Sequence, residues 1–135
     1  MIERNELKKE DFNQPTAVIR LTHCYHTGIE TERIALYDAT RAYWSIKKNH
    51  AITDTKLALA VHDGIVLEVY TIAAWLPANS TLMAVRLDKS VDKRRWEFVG
   101  NIASDAIRKK YLGKSVRSLF KPGNQGPVRC FGSKS

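Results

Sequence analysis

Leu57-Ala58-Leu59-Ala60-Val61-His62-Asp63-Gly64-Ile65-Val66-Leu67-Glu68-Val69-Tyr70-Thr71-Ile72-Ala73-Ala74-Trp75 is the stretch on which the fold turns. The apolar run 57–61 is short for a helix and fits a buried strand. Asp63-Gly64 supplies the residue pair that accepts positive φ in a tight hairpin turn. Residues 65–75 then read as the return strand, with Ile65, Leu67, Val69 and Thr71 alternating with Val66, Glu68, Tyr70 and Ile72. Both sets are largely apolar, as expected of a barrel or of a sheet covered on both faces.

Upstream, residues 17–25 (AVIRLTHCY) alternate apolar and polar positions and predict a strand, ended by His26-Thr27-Gly28. Residues 32–46 predict a helix capped by Thr31, with Ile34, Ala35, Tyr37, Ala42 and Ile46 near helical spacing and Tyr43 and Trp44 near its end. Downstream, Pro77 breaks the chain, and residues 81–87 read as a strand or a lid-like loop. Residues 95–99 (RWEFV) predict another strand, with Gly100-Asn101 as a turn. Ser104 caps a predicted helix over 105–112, Gly113 stops it, and residues 115–120 form a second helical piece. A turn-rich loop, 121–127, leads to a last strand over 128–131. The expected architecture is α+β: a small, mostly antiparallel β-barrel with peripheral helices. One domain is expected over 16–132, after a polar, irregular lead-in at 1–15 and before a tail at 133–135.

The chain has 135 residues, with 22 Lys and Arg against 14 Asp and Glu, for a net charge of +8. That length suits one domain, and 44% hydrophobic residues suffice for a core. No apolar run approaches membrane-spanning length, and the charged residues at 1–15 argue against a signal peptide. Cys24 and Cys130 cannot build a disulfide framework and read as reduced thiols of a cytoplasmic protein.

The charge is lopsided. Residues 1–85 hold 9 basic against 10 acidic side chains, and residues 86–135 hold 13 against 4. A cationic segment with interspersed aromatics is the expected footprint of a surface that meets phosphates. Arg94, Arg95, Lys109, Lys110, Lys114, Arg117 and Lys121 are the candidate phosphate contacts. Arg41, Tyr43 and Trp44 gather at a helix end, and Asn124 and Gln125 offer amides that both donate and accept, so these five are the candidate base contacts. Trp75 and Trp96 read more readily as core.

Other chemistry is weakly supported. Gly113-Lys114-Ser115 resembles the end of a phosphate-cradling loop, but Arg108 stands where that loop needs its first glycine, and a helix precedes it instead of a strand. His23-Cys24-Tyr25-His26 contains metal-ligating types. Cys24 and His26 share a strand face and could meet Cys130 if the first and last strands paired; a structural zinc takes four ligands, and the other candidates, His50 and His62, each stand alone in sequence. No serine elbow or carboxylate pattern of a nuclease is present. No catalytic residue, metal or cofactor is therefore expected.

Residues 35–44 (ALYDATRAYW), 57–61, 64–70, Trp75, Arg95-Trp96-Glu97-Phe98, Gly100, 111–116 (YLGKSV) and 121–128 (KPGNQGPV) together resemble a family of short bacterial and phage segments, some within larger proteins of nuclease or restriction type. The layout is also similar to the PUA-like superfamily, which includes the EVE, ASCH and YTH domains. That resemblance implies a small barrel that binds RNA or a modified base in an aromatic pocket, with Trp44 or Tyr43 as a wall. The expected function is non-catalytic nucleic-acid binding, with DNA or RNA as partner and no membrane. The alternatives are an interaction protein that modulates a nucleic-acid enzyme, and a small nucleotide-acting enzyme.

Overall fold

The computed structural model describes residues 5–22, 29–41, 55–77, 96–120 and 128–131. At its centre β1, Thr16–Arg20, lies parallel to β2, Leu57–His62, with Thr16 opposite Leu57 and Arg20 opposite Val61. Parallel neighbours need a crossover of a dozen residues or more. Residues 21–56 provide it and contain α1, Glu30–Arg41.

The two central strands are almost continuously apolar because layers pack on both of their faces. Side chains alternate along a strand. Leu57, Leu59 and Val61 therefore enter one core with Val18, Tyr111, Val116 and Leu119, while Ala58 and Ala60 enter the other with Ala17, Leu36, Tyr70 and Phe98. The small alanines leave room for α1, whose Leu36 is fully buried among them.

Asp63 and Gly64 turn β2 into the antiparallel β3, Ile65–Pro77, with φ of 51° and 78°. Positive φ at both positions is the geometry that the Asp-Gly pair predicts. β3 pairs in turn with β4, Trp96–Ile102, with a bulge between Ile72 and Ala74. Opposite Ile72 stands Gly100, where a Cβ would come within 1.9 Å of the Thr71 carbonyl oxygen. The other core layer receives α2, Asp105–Tyr111. Arg108 of α2 clasps buried Glu68 of β3 in a two-pronged pair at 2.8 and 3.1 Å. β5, Val128–Phe131, completes the sheet antiparallel to β1.

The strand order is β4-β3-β2-β1-β5. The domain is α+β, and its described residues form five strands in a mixed, open sheet and two α-helices. Three of its four strand pairings are antiparallel, as expected. The crossover through α1 makes the fourth parallel. Among the described strands β4 and β5 are opposite edges, unpaired with each other, so the described sheet is not closed into a barrel.

Several boundaries move. Thr31 lies inside the first turn of α1, and the carbonyl of Ile29 accepts the Arg33 N–H instead. Gly100-Asn101 is not a turn but part of β4, held by pairing with Ile72 and Thr71. Residues 115–120 form only a 3-10 turn, Arg117–Leu119. The lead-in carries a 3-10 turn at Lys9–Asp11 and contributes Leu7 and Phe12 to the core. Its Leu7 N–H donates to the Ser115 carbonyl at 2.8 Å. The parts of the expected elements at 23–25, 42–46, 81–87 and 95 lie outside the described residues.

Candidate nucleic-acid interface

The register of β1 against β5 sets positively charged side chains at one end of the sheet. Val18 lies directly opposite Arg129. Arg20 is two residues beyond Val18, so the alternation of the strand puts Arg20 and Arg129 on the same face. Phe120 reaches that face from the end of the 3-10 turn and packs at the margin of the core. The Arg20 guanidinium carbon sits 4.0 Å from the centre of the Phe120 ring, and that of Arg129 sits 5.9 Å from it and 5.1 Å from the Phe131 ring. Arg129 also donates to the Leu119 carbonyl.

Arg117 approaches from the hairpin side. Its guanidinium donates to the Asp63 carbonyl at 2.7 Å and lies 4.0 Å from the Asp63 carboxylate. Together Arg20, Leu21, Asp63, Gly64, Val116, Arg117 and Phe120 line an open hollow of about 360 Å³. His62 borders this end, with its Nδ1 3.3 Å from the Leu21 carbonyl oxygen. Stacking on a ring engages the face of a guanidinium, and a guanidinium fork matches phosphate oxygens. The arrangement is chemically suited to an anion carrying several oxygens.

The remaining predicted contacts spread out. Lys109 is exposed on α2. Lys110 and Lys114 line a separate hollow of about 180 Å³ with Glu6, Leu7 and Asp11, where two carboxylates offset two ammonium groups. Arg41 is buried, 4% exposed. Its Nε lies 2.9 Å from Asp38, and its Nη1 lies 3.6 Å from Glu97 and donates to the Phe98 carbonyl at 3.3 Å. Arg41 therefore joins α1 to β4, at the sheet edge opposite β5. Arg94, Arg95, Lys121, Tyr43, Trp44, Asn124 and Gln125 lie outside the described residues.

Gly113 takes φ of 75° at the end of α2, and the Ser115 hydroxyl accepts the Arg117 N–H at 3.2 Å. Helix stop and turn cap thus account for Gly113-Lys114-Ser115. The first and last described strands do pair, and Cys130 is an exposed free thiol on β5. Cys24 and His26 lie outside the described residues, among which no group of three metal-ligating side chains occurs. Trp75 is buried edge-on against Phe98 with ring centres 5.3 Å apart, and Trp96 is half-buried against the same core. No described helix is long and apolar enough to cross a membrane.

Arg20, Phe120 and Arg129 do not stand out in the sequence as site residues. Arg20 ends an apolar strand and Arg129 sits in a four-residue one, and only strand pairing unites them. The chain matches no known protein family, no curated protein and no solved structure.

Proposed function

We propose that the chain is a non-catalytic nucleic-acid-binding module that holds phosphates at the Arg20, Arg117 and Arg129 end of its sheet. The single observation that carries this reading is the convergence of three guanidinium groups, from β1, β5 and the turn after α2, around Phe120. The excess of basic side chains after residue 85 is in keeping with it. So is the connection of residues 121–127, with Lys121, Asn124 and Gln125, to Phe120 at one end and Val128 at the other. The PUA-like likeness, with its closed barrel and base pocket, belongs to the same proposal and rests on the resemblance alone. Arg41 contributes to the fold in this reading and not to base contact.

Fluorescence anisotropy with short single-stranded DNA, duplex DNA and RNA tests it. Binding is expected at ~50 mM salt, falling as salt rises, because each phosphate engaged by the protein releases counterions. Arg117→Ala and Arg129→Ala are expected to flatten the log–log salt slope by ~0.7–0.9 for each phosphate that the variant no longer neutralises. Absence of binding to all three probes at low salt, or unchanged slopes in both variants, refutes the proposal.

A further inference from the structure

Arg117 is seated on the turn between β2 and β3. The Val116 N–H donates to the Gly64 carbonyl at 2.8 Å, which lays the 3-10 turn of Arg117–Leu119 against Asp63-Gly64. The Arg117 side chain then runs across Gly64, where a Cβ would lie 2.6 Å from its Cγ and 2.7 Å from its Nε. Beyond Gly64, Nη2 donates to the Asp63 carbonyl at 2.7 Å, and the Asp63 carboxylate stands 4.0 Å from the same nitrogen. The two contacts differ in weight. The carbonyl bond is short and charge-assisted, and its peptide is fixed in a turn with φ of 51° at Asp63. The ion pair is long, and its side chains are 60% and 87% exposed, so it does little to fix the arginine.

We infer that the Asp63-Gly64 turn is a positioning part of the phosphate site: Gly64 and the Asp63 carbonyl hold Arg117 in place, and the Asp63 carboxylate opposes the incoming phosphate. The inference rests on the phosphate-binding reading above. Gly64 leaves the space that the arginine stem fills, because any Cβ there meets side-chain atoms of Arg117, which swing aside more readily than backbone does. An arginine held in advance loses less conformational freedom when an anion arrives. The carboxylate acts in the other direction, since it puts a negative charge beside the guanidinium that a phosphate has to approach. Two neighbours in one turn thus affect affinity with opposite signs, which a turn serving only to reverse the chain does not explain.

Salt titrations of the whole chain test the inference, with whichever of single-stranded DNA, duplex DNA or RNA binds most tightly as the probe. Gly64→Asn keeps a residue type that tolerates positive φ but adds the obstructing Cβ. It is expected to flatten the log–log salt slope as Arg117→Ala does, by ~0.7–0.9 for each phosphate lost, and to add nothing further in the Arg117→Ala background. Asp63→Asn keeps the carbonyl and a residue favoured in this turn while removing the charge. It is expected to tighten binding about two- to fivefold at ~50 mM salt, and the gain is expected to vanish in Arg117→Ala. Urea midpoints check that each variant folds, and the Asp63→Asn arm decides the matter alone if Gly64→Asn does not fold. A Gly64→Asn chain with an unchanged slope overturns the inference and leaves the phosphate reading standing. So does an Asp63→Asn gain that is absent, or one that survives in Arg117→Ala, since net charge alone would then account for it. Failure of the unmodified chain to bind any of the three probes overturns both.

Discussion

Arg41 shows how much one side chain decides. Its guanidinium lies among Asp38, Glu97 and the Phe98 carbonyl, and Glu97 is 0% exposed. Removing one partner of such a group leaves the others buried without compensation. Arg41→Ala is expected to lower stability by about 3–5 kcal/mol, read from urea unfolding, with no specific change in nucleic-acid affinity in the fraction that stays folded. A stable Arg41→Ala protein that loses binding would restore Arg41 as a base contact. The sequence places this arginine beside Tyr43 and Trp44, which suggests a recognition cluster. What it conceals is that two carboxylates, one of them 56 positions away at Glu97, arrive to neutralise it.

Among the elements, the β2–β3 hairpin is legible in the sequence because its signal is local. Alternation, the Asp63-Gly64 pair and a second apolar run all lie within 57–75, and both turn residues take positive φ as that pair requires. The helix at Asp105–Tyr111 and the strand at Val128–Phe131 are legible for the same reason. The parallel pairing of β1 with β2 is not, because nothing within either strand encodes the direction of its neighbour. Gly100 has the local pattern of a turn glycine, but its absent side chain serves instead to admit the bulged β3 backbone. Gly100→Ala forces a Cβ to within 1.9 Å of the Thr71 carbonyl, which is backbone and cannot swing aside. The variant is expected to lose about 3 kcal/mol or more, with faster amide exchange along β3 and β4. An unchanged melting temperature would show that the β3–β4 pairing is looser than described. The arginine site escapes a sequence reading for a related reason. Arg20 and Arg129 become neighbours only through the β1–β5 register, which the sequence suggests only as a possible pairing.

For the whole molecule, buried phenols set the alkaline limit. Burial raises the ionisation of Tyr70 above the ordinary tyrosine range, with Glu68 adding to it. Burial does the same to Tyr111, with a further push from Asp11. Each phenol is harder to ionise folded than unfolded, so its contribution is complete below the unfolded value of about 10 and is lost as pH climbs through the higher folded value. Urea midpoints are expected to hold steady to about pH 9 and then fall, by up to ~1.4 kcal/mol per pH unit for each tyrosine. Tyr111→Phe is expected to make that fall shallower, and a fall of equal steepness in the variant would contradict the assignment.

The first and last described strands are partners: Thr16 faces Phe131 and Ile19 faces Val128. During synthesis, therefore, β1 emerges from the ribosome more than a hundred residues before its outer neighbour exists. Until residue 131 is free of the exit tunnel, one border of β1 has no native strand to hydrogen-bond, and Phe131 is missing from the packing around Phe12, whose ring it meets at 5.2 Å. Products of ribosomes that stall before codon 128 would carry that open border permanently, as natural substrates for chaperones and proteases.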